Sequence, residues 1–271
     1  MHASTVRSLL VRGMLAGLIA GLLAFAVAYV VGEPPVDGAI AVEEAQAARE
    51  AHAGHGGGAA AAPEAAGEDE EAVSRPIQST FGLATGVLVY GVALGGIAAL
   101  AFSFALGRVG RFSPRATAAL TAAAAFTTVY LVPFLKYPAT PPAVGNPDTI
   151  GKRTTLFFLM ILLSVLLGLA AVVAGRRLAP RLGNWNATLA AAGGFVVVTA
   201  IAFAVLPAND DAVKAGFPAA LLWEFRLASL AVQAVLWAVF GIVFGALAPR
   251  ALTSRTAAAD ASAPLGAPLA G

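Results

Sequence analysis

The stretch YLVPFLKYPATPPAVGNPDTIGKR, residues 130–153, decides how the chain is read. It holds Pro133, Pro138, Pro141, Pro142 and Pro147, together with Lys136, Asp148, Lys152 and Arg153. A lipid-facing helix does not tolerate that mixture: each proline removes a backbone donor, and each charge is costly in hydrocarbon. A disordered linker has no use for its aromatic residues. The stretch therefore reads as an ordered re-entry between two membrane helices, and the rest of the chain is placed on either side of it.

The composition around it is that of a multi-pass membrane protein. Of 271 residues, 59% are hydrophobic and only 12% charged, where soluble domains run near about a quarter charged. Mean hydropathy is +0.81. The net charge of +2 does not point to nucleic acid, because the basic residues lie in short loops beside apolar segments. There is no cysteine, which removes disulfides, thiolate chemistry and Cys-based metal sites. Three methionines leave no thioether pathway for Cu(I). A metal ion would have to be held by His, Asp, Glu, Asn, carbonyl oxygens or water.

The expected architecture is an all-α polytopic bundle of six transmembrane helices. The apolar runs lie at 9–31, 82–106, 116–135, 155–175, 187–206 and 227–248. Each is long enough to cross a hydrocarbon core of ~30 Å at 1.5 Å per residue. A cleaved signal peptide is the competing reading of the first run and would leave five helices. Its apolar stretch from Gly13 to Val31 exceeds the usual signal core, which favours a retained helix. Gly13, Gly17 and Gly21 recur every four residues, and Gly91/Gly95 and Gly241/Gly245 repeat the spacing. Such faces let helices approach closely.

Four segments follow. Residues 1–31 are a cytoplasmic N-terminus and first helix. Residues 32–80 are an acidic, His-containing, flexible extracytoplasmic segment, able to form a short helix over 38–51. Residues 81–249 are a five-helix bundle with a Pro-rich outer loop at 136–153. Residues 250–271 are a disordered cytoplasmic tail. The loops orient the chain. Arg7, Arg12, Arg108, Arg111, Arg115, Arg176, Arg177, Arg181, Arg250 and Arg255 lie on one side, opposed only by Asp260. With Glu224 and Arg226 set apart, the other side carries 13 acidic and six basic residues. The positive-inside rule puts both termini in the cytoplasm of a cell inner or plasma membrane.

Three places have the residue types for chemistry. His52 and His55, with Glu44 and Glu50 nearby, have the imidazole and carboxylate donors that suit Co, Ni, Zn or Mn. The plainer alternative is a solvated linker with incidental histidines. The head of the last run is the second place. Arg226, Ser229, Gln233 and Trp237 share one helix face, while Glu224 points elsewhere. A polar stripe faces the bundle or water; the plainer alternative leaves Glu224 and Arg226 at headgroup level beside Trp223. The third place is the opening stretch, where Tyr130, Lys136 and Tyr137 stand at the outer end of run three. Pro133 frees a carbonyl there, and Asp148 or Thr149 can cap the next helix. The alternative is architectural, with prolines that only stiffen a hairpin. No Walker loop, HExxH, GxSxG or EF-hand loop occurs, and no catalytic dyad is visible, so an enzyme is not expected.

Longer strings carry a resemblance. They are RGMLAGL (12–18), GEPPVDGAIA (32–41), SRPIQSTFGL (74–83), YLVPFLKYPA (130–139) and GFPAALLWEFRLASL (216–230). With the His- and acid-rich segment between them, the chain resembles the CbtA family of probable cobalt transporter subunits, over nearly its whole length to about residue 249. The resemblance implies cobalt uptake for cobalamin synthesis and a small single-span, histidine-bearing partner, CbtB. It also implies transported Co²⁺ (Ni²⁺ or Zn²⁺ share the ligands) rather than a permanently bound cofactor. The family is associated with five spans, against six here. A rival reading is a non-transporting membrane scaffold or assembly protein whose outer segment binds a partner.

Overall fold

The structure, a computed structural model, describes residues 3–54, 74–142, 144–145, 149–209, 213 and 216–261. His55, the Glu68–Glu71 run, Asn146, Pro147 and Asp148 lie outside the described residues. All regular structure among the described residues is helical.

Helix α1 (Ala3–Val27) runs through a π-helical turn, Ala28–Gly32, directly into α2 (Glu33–Gly54). The widened turn has a local cause. Pro34 and Pro35 lack N–H donors, and their rings crowd the carbonyls four residues back, at Val30 and Val31. Both carbonyls lie in the π turn, where the helix is wider. Next come α3 (Arg75–Ile77), a π turn at Gln78–Gly82 and α4 (Leu83–Ala105). Helix α5 (Pro114–Ala125) opens on a proline, and Ser113 caps it by accepting the Ala116 N–H at 3.2 Å. It continues through a third π turn, Phe126–Leu131, into α6 (Val132–Lys136). Pro133 repeats the geometry of Pro34, since the carbonyl it crowds, at Val129, lies in the preceding π turn.

Helix α7 (Ile150–Val205) has 56 residues, and α8 (Ala219–Ala261) closes the chain. Five helical segments are long and apolar enough to cross a membrane: Ala3–His52, Arg75–Ala105, Pro114–Lys136, Ile150–Val205 and Ala219–Thr253. The fourth is a hairpin. Gly183 leaves helical geometry at φ 73°, ψ 161°, a left-handed φ that glycine adopts without a Cβ clash. A Cβ on Gly175 would stand 3.3 Å from the Ala191 Cβ. In a straight helix those residues would be ~24 Å apart. The arms before and after Gly183 contain the two runs expected at 155–175 and 187–206.

The fold divides into two compact units. The first comprises Met1–Gly21, Leu88–Ala125 and Leu236–Gly271. Glycine contact holds it together. A Cβ on Gly17 would stand 2.1 Å from the Gly91 carbonyl oxygen, and one on Gly95 2.4 Å from that of Gly13. Gly21 lies against Gly91, Gly241 against Ala122, and Gly245 against Arg115 and Ala118. Phe102 meets Phe244 edge-on at 5.0 Å, and Phe240 stacks on Phe244 at 5.3 Å. Arg12 donates to the Leu247 carbonyl at 2.9 Å, two residues before Pro249.

The second unit comprises Leu22–Val87 and Phe126–Val235. One buried cluster joins Ala39, Val144, Phe217 and Leu222; another joins Val132, Tyr137 and Met160, with Phe195 and Phe203 packed on it. The first cluster changes the reading of residues 32–80. The helix continues to Gly54, and Gly38 and Ala39 pack against the head of α8. From Glu43 outward α2 is largely solvent-exposed.

Candidate functional site

The opening stretch ties helix ends together. The last carbonyls of α7 have no intrahelical donor. Lys136 supplies one: its Nζ donates to the Phe203 carbonyl at 2.7 Å. A cation there also suits the negative end of the helix. The next residue repeats the device, with the Tyr137 hydroxyl donating to the Pro207 carbonyl at 2.8 Å. Burial pushes the Tyr137 pKa up, so the phenol stays a neutral donor. Arg226 reaches the same stretch through a long contact, Nε to the Ala139 carbonyl at 3.4 Å. Thr149 begins α7 without a side-chain capping bond.

The π turn before Pro133 exposes backbone that lipid cannot satisfy. Ser164, wholly buried on the first arm of α7, donates to the Thr128 carbonyl in that turn. Gly168, one turn on, lies against the Thr128 methyl. Sequence reading missed Ser164. Its signal is a lone hydroxyl at the middle of an apolar run, opposite a run broken by proline.

These contacts leave a cavity of about 460 Å³ between the end of α6 and the start of α7. Tyr130, Phe134 and Phe157 line it, together with Arg153, Thr154 and Asn209. Tyr130 stacks between Phe126, at 6.2 Å, and Phe134, at 5.5 Å. No Asp or Glu occurs among the described lining residues, and Arg153 contributes a positive charge. The described lining therefore offers a dication neither carboxylate nor imidazole, and sets a positive charge beside it.

The structure brings only some of the sequence candidates together. Tyr130 and Tyr137 line the cavity, and Lys136 turns to the end of α7. On α8, Glu224 is exposed and Arg226 half-buried. Gln233 is half-buried, and its Oε1 has no partner among the described residues. Ser229 bonds back to the Phe225 carbonyl, and Trp237 is 4% exposed. Along the stripe Arg226, Ser229 and Gln233 are half-buried and Trp237 is buried, whereas Glu224 is exposed. On α2, Glu44, Glu50 and His52 are all exposed. Glu44 and His52 are about 12 Å apart along the axis, and Glu50 and His52 lie on nearly opposite faces. One helix cannot close them around a single ion. No group of three His, Asp or Glu able to hold a metal occurs among the described residues.

A second feature that sequence reading did not pair is a carboxylate clamp. Glu33 and Asp37, one turn apart on α2, both bond Arg75 at the start of α3; the Arg75 Nη2 to Asp37 distance is 2.7 Å. Its signal was present, since Arg75 and Arg49 are the only basic residues in the acidic segment.

Neither a curated protein nor a solved structure matches the chain. A family profile does, that of the probable cobalt transporter subunit CbtA, over residues 6–249. The match takes in every long apolar helix, and the word subunit implies a partner in a multi-component system. This multi-pass membrane protein belongs to the CbtA family of probable cobalt transporter subunits.

Proposed function

We propose that the chain is the membrane-embedded subunit of a system that moves Co²⁺ inward across the cell membrane and feeds cobalamin synthesis. The observation that carries this reading is the extent of the family match, which covers the membrane helices themselves. Six spanning arms with both termini in the cytoplasm accommodate the loop charges, with α7 counted as two. Outside, the exposed face of α2 presents Glu43, Glu44, Glu50 and His52. Such a surface raises the local concentration of cations without binding any one tightly. His55 follows three residues after His52, and the pair gathers the ion for transfer to the bundle. The arginine-lined cavity is not on that path.

No nucleotide-binding loop is present, so the driving force is the membrane potential or a separate subunit. A dication gains ~4.6 kcal/mol from 100 mV, at about 2.3 kcal/mol per charge. The partner is a single-span, histidine-bearing subunit of the CbtB type, whose imidazoles would complete a coordination shell that α2 alone cannot close.

The reading is tested by reconstituting the chain with this partner in liposomes holding a cobalt-quenched dye. Quenching under an inside-negative potential, faster for Co²⁺ than for Ni²⁺ or Zn²⁺, is expected. Quenching no faster than in protein-free liposomes, with or without the potential, would count against it. The scaffold reading would leave the partner co-purifying with the chain and no flux.

A further inference from the structure

We propose that the cavity between α6 and α7 binds a phosphate group, carried by an anionic phospholipid headgroup or free in solution. Its described lining combines two chemistries. Arg153 brings a planar guanidinium, whose fork of donors matches phosphate oxygens. Thr140 and Thr154 add hydroxyls and Asn209 an amide, and no carboxylate opposes them among the described lining residues. Phe134, Phe157 and Phe158 add apolar surface. Phe158 is 64% exposed although it lies in an apolar spanning segment, so its ring faces hydrocarbon.

The position agrees with that combination. Phe134 is two residues before the end of one spanning segment, and Arg153 is three residues into the next. The cavity thus stands where headgroups meet acyl chains. Arginine beside tyrosine at that depth is the usual furniture of a membrane interface. The volume of about 460 Å³ exceeds what one phosphate ion needs and lies within the range of small-molecule sites. A phosphate with an apolar body suits both kinds of lining residue. This inference does not depend on cobalt uptake, and its readout is binding rather than flux.

The test uses the purified full-length chain in detergent. Native mass spectrometry follows retention of phosphatidylglycerol and phosphatidylcholine, and thermal unfolding follows addition of inorganic phosphate. Retention of phosphatidylglycerol at about tenfold lower concentration than phosphatidylcholine is expected, the scale of one charge-assisted hydrogen bond. Arg153→Gln should abolish the preference and Thr154→Val weaken it, whereas Arg176→Gln, at an exposed position elsewhere, should leave it intact. Stabilisation of the wild type but not of Arg153→Gln by inorganic phosphate alone would identify the free ion as occupant. Equal retention of both lipids with no phosphate effect overturns the proposal. So does an unchanged preference in both Arg153→Gln and Thr154→Val, each being checked for folding by its unfolding transition.

Discussion

Gly17 has no room for one more carbon. A methyl there would sit 2.1 Å from a backbone oxygen of Gly91, and backbone cannot rotate away as a flexible side chain can. Gly86, on the same partner helix, has nothing within 4 Å of its Cβ position. The two glycines therefore separate packing from helix propensity. Gly17→Ala should destabilise the purified protein by ~1–3 kcal/mol, the range for overpacking. Gly86→Ala should be neutral or slightly stabilising, by up to ~1 kcal/mol. Thermal unfolding in detergent compares them. Ser164 gives a second residue-scale test. Ser164→Ala leaves the Thr128 carbonyl without its hydroxyl donor, and a loss of ~1–2 kcal/mol is expected in the same assay. A Ser164→Ala transition identical to the wild type would show that the π turn finds its donors elsewhere. The four-residue glycine spacing was legible in the sequence because period alone puts those residues on one face. The pairing of Lys136 with Phe203 was not, since it joins a side chain to a helix end 67 residues away.

At the scale of elements, the hairpin in α7 makes a prediction that a straight rod cannot share. The chain has no cysteine, so a Gly175→Cys/Ala191→Cys pair introduces the only thiols. Their Cβ separation of 3.3 Å is close to the disulfide range of about 3.5–4.5 Å. The pair should oxidise readily and shift mobility on a non-reducing gel, while Gly175→Cys/Thr199→Cys, displaced two turns along the second arm, should not. Failure of the first pair to crosslink would contradict the fold-back at Gly183. The two apolar runs were legible from composition, with Arg176, Arg177 and Arg181 marking the turn between them. The start of α2 was less so. Its prolines argue for a stop after Gly32, yet the helix absorbs them in a widened turn and continues. What holds its first turns is distant: Leu221 and Leu222 against Gly38 and Ala39, and Arg75 against two carboxylates. Local propensity carries no record of such contacts.

Over the whole molecule, charge placement and apolar length made the fold class readable before any coordinates, because lipid allows few alternatives to a helix bundle. The candidate site was less readable. Composition marked residues 130–153 as ordered and interfacial, and the structure places a cavity there. Among its described lining residues Arg153 is charged and no carboxylate occurs. Among the described residues, the imidazole and carboxylates of α2 are spread along one helix and do not converge. The family description as a subunit implies a partner in a multi-component system. The most direct measurement is labelled cobalt accumulation in four strains of one host, with and without this chain and with and without its partner. The account predicts uptake only where both are present, and its loss when this chain is deleted. Equal cobalt content in all four strains would contradict it.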